Sequence, residues 1–450
     1  MKTVTPSAAA RSKHPERPGK EQARFAFTVL LAINILNYAD RYVLPAILPA
    51  VQKDLHINTF EAGLLSSAFL LVYGLSTLPL GVWADRTKRK NIVSLCVGIW
   101  SVATVLSGFT RSFIQLFTTR AILGIGEAGY APASLSLLGD YFSKEHRGRI
   151  LSYWSSGTLI GAAIGFTIGG LIADRLGWRW AFYVVGIPGL IAAFLAWRMH
   201  EPERGVSDAA DESSEEAAST MEGHGSLSKD FWPSARAIMK VPTYLTLVGA
   251  LIFSFFTIGG TSVWLPTYLY RDFKLTLTQA GLVSGAILVG SGLIGTVLGG
   301  WLADRVQRAR PEGRLFVAML GFLIGAPLAF LALLFNTLPF FVATLFLAGI
   351  ALNFCVGPLN AVIQDVIVPE VRATALGLSL LLAHLLGDAA SPVIIGWIAD
   401  GYSLKTALLV TAPVALLVAG LICLLGLRTV AGDMRHMQEQ LRRKESVKKA

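Results

Sequence analysis

Acidic and basic side chains occur in pairs inside stretches of the sequence that are otherwise apolar. Asp40 and Arg41 are adjacent in "NILNYADRYVLP", which follows the apolar run "FAFTVLLAI". Arg120 and Glu127 lie two helical turns apart in "RAILGIGEAGYAPA". A carboxyl group can take up and release a proton, and a guanidinium group binds anions through several N–H donors. These residue types therefore predict a site for an anion or a proton, or ion pairs that only fix packing.

The composition indicates the kind of element that must position these residues. Of the 450 residues, 53% are hydrophobic and 15% are charged, whereas soluble domains carry about 25% charged residues. Apolar runs recur, each about 20 residues long, the length that crosses ~30 Å of hydrocarbon. The 44 glycines fit close packing of membrane helices. We predict an all-α polytopic membrane protein.

Twelve transmembrane helices are predicted, in two pseudo-symmetric six-helix bundles. The expected organisation is a basic tail at 1–24, a bundle at 25–198, a flexible linker at 199–238, a second bundle at 239–428 and a tail at 429–450. The linker is acidic and Ser-rich, which is typical of flexible segments. The helices are expected to start near Phe25, Ala62, Asn91, Phe113, Ile150, Trp180, Val241, Thr278, Leu315, Pro339, Ala373 and Thr406.

The basic residues predict the orientation in the membrane. Most of the 39 lysines and arginines fall in the two tails and in the loops that follow even-numbered spans. The positive-inside rule therefore places both termini in the cytoplasm. The expected location is a cell (inner) membrane. The net charge of +10 is explained by this topology and by the anionic inner leaflet, so no nucleic-acid partner is predicted. A monomer is expected.

Short motifs repeat in order between the two halves. "GVWADRTKR" (81–89) returns as "GGWLADRVQR" (299–308), and "DYFSKEHRGR" (140–149) returns as "DVIVPEVRAT" (365–374). A third repeat is "IAD" at 172–174 and 398–400. Duplicated halves around a central site are a common transporter plan. The first pair predicts a cytoplasmic gate that holds the inner face shut, formed by Asp85, Arg86, Arg89, Asp304 and Arg305; the alternative is an ordinary basic loop.

Glycines in two spans predict close helix packing and no ligand. Span 5 carries Gly157, Gly161, Gly165 and Gly169 at four-residue spacing, on one helix face. Span 8 has a similar pattern.

The polar residues of span 1 form a stripe. Asn34, Asn37 and Arg41 share a face, and Asp40 lies at its edge. Their depth allows Asp40 to pair with Arg120, and Arg41 to pair with Glu127. If a substrate anion claims the arginine, a buried carboxyl group beside it can change its proton occupancy. Asp40 and Glu127 are therefore the predicted proton-coupling residues.

The second half carries fewer charges. In span 10, Asn360 lies on a polar face that also includes Asn353, Gly357 and Gln364. In span 11, "HLLGDAASP" places His384 and Asp388 on one face. A protonated His384 can bind an anion while Asp388 holds its tautomer. The alternative is a His–Asp contact between helices that serves only structure.

Signatures of enzymes, metal sites and disulfide frameworks were not found. There is no Walker loop, dinucleotide fingerprint, HExxH or GxSxG pattern. The three cysteines are odd in number and widely spaced in apolar spans. We predict no enzyme activity, no cofactor and no metal, and an ion gradient as the energy source.

These motifs resemble the major facilitator superfamily. "GVWADRTKRK" with its second copy is similar to that superfamily's loop signature, and "NYADRY" also resembles the anion–cation symporter branch. More specific matches resemble the Spinster-like branch: "NILNYADRY", "RAILGIGEAGYAPA", "WRWAF", "EPERG" and "HLLGDAASP". The resemblance extends over both halves.

The resemblance implies a proton-linked facilitator for amphipathic lipids such as lysophospholipids or sphingosine phosphate. The expected mechanism is rocker-switch alternating access. It places Asn34, Asp40, Arg41, Arg120, Glu127 and His384 at a central cavity. The carboxylates would couple protons, and the arginines and the histidine would bind an anionic headgroup. Together with Asn360 and Asp388, these residues give a substrate site of Asn34, Arg41, Arg120, Asn360, His384 and Asp388. An apolar wall with Phe69, Tyr73, Phe253, Phe256 and Trp264 would take an acyl chain.

Other functions stay open at this point. The first alternative is a proton-linked symporter of small organic anions such as sugar acids or carboxylates. Others are a multidrug exporter and a transporter-like sensor without flux.

Overall fold

The computed structural model describes residues 18–206 and 227–449, except the side chains of Leu78, Asp85, residues 227–231, Arg443, Glu445 and residues 447–449. These parts of the chain form helices and no strands. The twelve predicted helices are present, here called spans 1 to 12: Lys20–Leu55, Thr59–Arg86, Arg89–Ser107, Phe113–Tyr141, Lys144–Leu176, Trp178–Arg198, Pro242–Asp272, Leu277–Gln307, Gly313–Leu334, Leu338–Val366, Pro369–Gly401 and Leu404–Gly426.

Span 1 differs from the other eleven spans. Those eleven are long and apolar enough to cross a membrane. Span 1 has 36 residues, about 54 Å of helix, which is more than a bilayer core requires. Its apolarity is lower because Asn34, Asn37, Asp40 and Arg41 lie within it. The helix that carries the candidate site is thus the one whose composition departs most from a plain membrane span.

Two further long helices lie outside the spans in the described part of the chain. Leu227–Ile238 falls within the segment predicted to be a linker, whose residues 207–226 are outside the described part of the chain. Val430–Lys449 follows span 12, and its Asp433 accepts a hydrogen bond from the backbone N–H of Thr243 at 2.9 Å. This helix is therefore held against the start of span 7. We call the side where span 1 begins and span 12 ends the tail face, and the opposite side the far face.

The predicted glycine face of span 5 packs closely, and its partner is span 1 of the same half. A Cβ atom on Gly161 would lie 2.3 Å from the carbonyl oxygen of Ile35, and one on Gly165 would lie 2.4 Å from that of Ala39. Backbone atoms cannot yield as a flexible side chain does. These glycines therefore set the distance between span 5 and the helix that carries Asp40 and Arg41.

The two halves meet along paired spans at the far face. Span 5 packs against span 8, where a Cβ on Gly281 would lie 2.2 Å from the carbonyl oxygen of Phe166. Span 2 packs against span 11 in the same way, and span 1 lies against span 7. Arg271 in span 7 donates to Gln52 in span 1 at 2.8 Å. The far side of the central region is closed by these contacts.

Three spans are interrupted, which the sequence pattern did not predict. Span 4 consists of two helices that meet at Gly129, and span 10 of two helices separated by residues 353–355. In span 11, residues His384–Asp388 form one π-helical turn. Such turns are frequent at functional sites.

Candidate functional site

Arg41 and Glu127 form an ion pair between spans 1 and 4. The Nε of Arg41 lies 2.6 Å from Oε2 of Glu127. The Glu127 side chain is 0% exposed and that of Arg41 is 16% exposed. The predicted pairing is confirmed, and the arginine is the partner that open space can reach.

Asp40 and Arg120 form the second ion pair that the sequence predicted. The Nη1 of Arg120 lies 3.7 Å from Oδ1 of Asp40, and both side chains are at most 2% exposed. The other carboxylate oxygen of Asp40 accepts a hydrogen bond from the hydroxyl of Thr104 in span 3. Asp40 is therefore held by two neighbouring spans. Sequence reasoning missed Thr104, although Ser101, Thr104 and Ser107 lie on one fully buried face of span 3.

Several buried polar atoms of this cluster have no hydrogen-bond partner among the described residues. They include Oε1 of Glu127, Oδ1 of Asp40, and Nε and Nη1 of Arg120. A buried polar atom without a partner costs about 1–3 kcal/mol, and more when it is charged. Such atoms in a native structure need an explanation, and a catalytic or transport role is one.

The asparagines of the span 1 stripe point into the first bundle. Asn34 is 0% exposed, and its Nδ2 donates to the carbonyl oxygen of Trp154 at 2.7 Å. The Tyr130 hydroxyl lies 2.9 Å from Oδ1 of Asn34 and 3.0 Å from Oδ1 of Asn37. Asn34 is thus shielded from open space here, and its predicted contact with substrate stays a prediction.

Aromatic rings surround the exposed side of Arg41. Its guanidinium carbon lies 4.5 Å from the ring centre of Tyr73, 5.1 Å from that of Tyr38 and 5.3 Å from that of Phe69. Phe69 also lies 5.3 Å from the guanidinium carbon of Arg120. Rings at these distances attract a cation without neutralising it. The Arg41 side chain is therefore held in place while its charge can still bind an anion.

His384 and Asp388 lie across from this cluster, on the π-helical turn of span 11. Nδ1 of His384 is 2.7 Å from Oδ2 of Asp388, which confirms the predicted contact. The His384 ring lies 6.4 Å from that of Tyr73, and its side chain is 33% exposed. A Cβ on Gly259 would lie 2.8 Å from Oδ1 of Asp388, so the close approach of span 7 requires a glycine there. The imidazole thus borders the same space as Arg41.

Asn360 forms no hydrogen bond with these charged groups among the described residues. Its backbone carbonyl accepts from Nε2 of Gln364 at 3.4 Å, and its Oδ1 has no partner among the described residues. Its predicted substrate contact therefore stays a prediction.

An apolar cavity lies in the second half and reaches span 1 at Tyr42, the residue after Arg41. Its volume is about 140 Å³. Its polar lining is limited to a few hydroxyls and Asn353, and Tyr42 contributes from span 1. The lining residues include Tyr42, Thr257, Thr261, Ser262, Ile287, Ser291, Leu333, Phe341, Leu345 and Leu408.

None of the five residues predicted for the acyl-chain wall lines this cavity. Phe69 and Tyr73 contact Arg41, as described above. Trp264 is 0% exposed and donates its indole N–H to the carbonyl oxygen of Pro392 at 3.1 Å, so it is part of the core. The prediction that Trp264 faces the cavity is wrong. Phe253 and Phe256 are partly buried against the cores and are absent from the cavity lining.

The residues of the predicted gate make contacts within their own halves. Arg89 pairs with Asp140 and lies 3.1 Å from Glu201, both in the first half. Asp304 lies 3.0 Å from Arg314, which also pairs with Asp365 at 2.9 Å. A gate between halves requires partners across the interface.

The remaining residues of the predicted gate are Arg305, Arg86 and Asp85. Arg305 lies over the ring of Trp301 in its own helix, Arg86 is exposed, and the Asp85 side chain is outside the described part of the chain. The gating role therefore stays a prediction.

A family model decides the class of this protein. The model of the Major Facilitator Superfamily matches residues 30–390 and, a second time, residues 252–446. The chain belongs to the Major Facilitator Superfamily. This confirms the predicted fold class and, because the superfamily consists of transporters, the prediction of a transporter rather than an enzyme.

Curated relatives place the chain in the Spinster-like branch of the superfamily. It is 30% identical to spinster homolog 3 of Danio rerio over 407 residues, covering 85% of this chain and 78% of the relative. It is 29% identical to human spinster homolog 1 over 397 residues, covering 83% and 72%. The Drosophila melanogaster protein spinster is 28% identical over 408 residues, 88% of this chain but only 65% of the longer relative.

Solved structures share the fold. A bacterial homologue of the human lysosomal transporter Spinster, in an inward-facing and unoccupied conformation, matches with a TM-score of 0.77 at 24% identity, over 94% of this chain and 99% of the other. The nucleoside transporter NupG matches with a TM-score of 0.70 at 14% identity, over 88% and 98%. The protein is an integral membrane transporter of this superfamily.

Proposed function

We propose that this protein is a proton-coupled secondary transporter of amphipathic anionic lipids, with a lysophospholipid as the type of substrate. One observation carries the proposal. Arg41 belongs to the buried charged cluster, and the next residue, Tyr42, lines the apolar cavity of the other half. A single turn of span 1 thus borders a site for an anion and a site for a hydrocarbon chain.

The anionic headgroup would bind at Arg41, with His384 on the opposite wall. Arg41 is the partly exposed member of its ion pair, at 16%, and its guanidinium has more N–H donors than the single bond to Glu127 uses. A phosphate or carboxylate can form two parallel hydrogen bonds with a guanidinium group. Arg120 is at most 2% exposed and would act on the headgroup through Asp40 rather than by contact.

Proton coupling would follow from competition for Arg41. When a substrate anion binds this guanidinium, Glu127 loses its hydrogen-bonded countercharge at a fully buried position. A buried carboxylate without a partner is costly, and protonation removes that cost. Asp40, held by Thr104 and Arg120, would pass the proton or take the second one. Substrate and proton would therefore occupy the cluster together.

The cavity in the second half would take the acyl chain. Burial of one CH₂ group stabilises a complex by about 0.8 kcal/mol, so even part of a chain contributes substantially. A small organic anion would use the charged cluster but leave this cavity without a function. The cavity is the observation that favours a lipid over a small carboxylate.

The remaining parts of the proposal concern topology and movement. Both termini, and hence the tail face, would be cytoplasmic in an inner membrane, with 199–238 linking two bundles at 25–198 and 239–428. The protein would work as a monomer by rocker-switch alternating access. The far-face contacts between halves support this, because rocking of two rigid bundles needs contacts that break on one side at a time.

The proposal is tested by thermal stabilisation of the purified protein at pH 6 and pH 8. A ligand that prefers the folded state raises the melting temperature. Lysophospholipids of increasing chain length should raise it progressively, and short carboxylates should not. The variant Arg41→Ala should lose this stabilisation. The matched control is Arg111→Ala, an exposed arginine at the far face, which should keep it. Stabilisation by a short organic anion alone would instead support a small-anion symporter.

A further inference from the structure

The "IAD" repeat extends to a five-residue motif that the transport site does not use. Residues 170–174 read "GLIAD" at the far end of span 5, and residues 396–400 read "GWIAD" at the far end of span 11. The two helices occupy equivalent positions in the two halves. Each packs against the first turn of a helix in the opposite half, span 8 for span 5 and span 2 for span 11.

Each aspartate binds backbone N–H groups at the start of the opposite helix. Asp400 accepts from the N–H groups of Thr59 and Phe60, both at 2.8 Å. Asp174 accepts from those of Leu277 and Thr278, at 3.3 and 2.8 Å, and from the Thr278 hydroxyl at 2.6 Å. The contacts are thus the same in both copies, although they join different spans.

The first turns of spans 2 and 8 leave these N–H groups available. The side chain of Asn58 accepts from the N–H of Glu61, the third residue of span 2, and Thr276 accepts from Gln279 in span 8. This local capping satisfies the third N–H and leaves the first two without a partner in their own helix. The aspartate of the other half accepts from those two, and its negative charge lies at the positive end of the helix dipole.

The glycine of each motif allows this approach. A Cβ on Gly396 would lie 2.5 Å from the carbonyl oxygen of Thr59, and one on Gly170 would lie 2.3 Å from that of Leu277. Any larger residue would push the opposite helix away. In each motif the glycine lies one helical turn before the aspartate, on the same face. Glycine and aspartate therefore act together, one for distance and one for binding.

We propose that the two GxxxD motifs are paired latches that hold the far face closed, each by capping a helix of the opposite half. They are conformational elements and not part of the substrate site. When the bundles rock open at the far face, spans 5 and 8 and spans 2 and 11 must separate, and both caps break. Opening then leaves four backbone N–H groups without their aspartate acceptors. Because this costs free energy, the two caps stabilise the closed far face relative to the open one.

The test measures distance across the far face without any substrate, so its outcome is independent of the proposed lipid function. Spin labels at Arg111→Cys and Thr337→Cys report the separation of the halves, and a control without these two cysteines shows whether the buried native cysteines take up label. The double variant Asp174→Ala/Asp400→Ala should populate a longer distance several-fold more than the parent protein. The two single variants should give smaller and similar increases.

The matched control is Asp54→Ala. Asp54 is also a far-face carboxylate, but it pairs with Arg179 at 2.8 Å within its own half. Its loss should leave the distance distribution unchanged. If the double variant does not fold, Asp174→Asn/Asp400→Asn keeps the shape and removes the charge, and the same shift is expected. A folded double variant with the parent distribution, or an equal shift in Asp54→Ala, would overturn the proposal.

Discussion

The two halves of the molecule follow one helix plan but differ in what they bury at the centre. The first half buries Asp40, Arg120 and Glu127 with an arginine at their edge. The second half has an apolar cavity at its centre and one His384–Asp388 pair at the border. The charged chemistry is therefore concentrated in one bundle and the apolar volume in the other.

Other features are shared by the halves, and they lie at the two faces. The far-face motifs at 170–174 and 396–400 make equivalent contacts. At the tail face, Arg89 contacts Asp140 in the first half, and Arg314 contacts Asp365 in the second. Asp140 and Asp365 each begin a copy of the same repeat. What is repeated forms packing contacts at the two faces, whereas what is not repeated lies at the centre and belongs to the proposed substrate site.

The variant Arg120→Ala should have the largest effect, and it tests whether the charged cluster stabilises the first half. Arg120→Ala leaves Asp40 buried without its countercharge, which typically costs about 3–5 kcal/mol. The free energy of unfolding in detergent should fall by that amount, and Asp40→Asn in the same chain should restore part of it. Arg111→Ala, at an exposed position, should leave it unchanged. An Arg120→Ala protein as stable as the parent would show that the Arg120–Asp40 pair contributes nothing to the fold.

The second prediction concerns the coupling role of the same half. Glu127→Gln keeps the shape of the side chain but cannot lose a proton. Uptake into proteoliposomes should no longer respond to an imposed pH gradient and should fall to the level seen without one, while binding persists. Glu145→Gln, an exposed glutamate at the tail face, should keep the full response. Full gradient-driven uptake by Glu127→Gln would remove Glu127 from the mechanism.

The third prediction tests the apolar half. Thr261 lines the cavity and is partly exposed, so Thr261→Trp fills space without disturbing a closed core. In the parent protein each added CH₂ should strengthen binding by about 0.8 kcal/mol. In Thr261→Trp this increase should stop at long acyl chains, while short chains keep their affinity. Val410→Trp, on the exposed side of span 12, should keep the slope. Binding titrations with a series of chain lengths measure the change in binding free energy per CH₂. If this slope were unchanged in Thr261→Trp, the acyl chain would lie elsewhere.

The smallest effect is expected at the border of the halves. His384→Gln removes one hydrogen-bond donor for the headgroup, at a cost of about 1 kcal/mol in binding. The loss should be the same for every chain length, because the histidine does not line the apolar cavity. His146→Gln, at an exposed tail-face position, should have no effect. A loss that grows with chain length would assign His384 to the chain site instead.

The sequence predicted the spans and both ion pairs because charges inside apolar helices are rare and strongly constrained. Asp40 and Arg120 lie at a similar depth in their spans, so each was the available partner of the other. The i, i+7 spacing places Arg120 and Glu127 on one helix face. The His384–Asp388 contact followed from a four-residue spacing in the same way. Costly groups leave few arrangements open.

The orientation of uncharged residues could not be predicted in this way. Trp264 lies on a helix whose only charged residues, Arg271 and Asp272, are at its end, so no buried charge fixes which side faces the core. Thr104 and Tyr130 were missed because a hydroxyl in a span carries no sign of its partner, even where several share one face, as Ser101, Thr104 and Ser107 do. The π-helical turn at His384–Asp388 packs against span 7, and no local pattern in the sequence predicted it.

The most direct test of the division between halves crosses one variant from each against the same ligands. Affinities for lysophospholipids of increasing chain length are measured for Thr261→Trp and for Arg41→Ala. Both variants carry Glu127→Gln as well, so that loss of Arg41 does not leave a buried carboxylate unpaired. Glu127→Gln alone is the reference. Loss of Arg41 should lower all affinities equally, and Thr261→Trp should change only the dependence of affinity on chain length. If both variants changed the same parameter, headgroup and chain would not be divided between the halves.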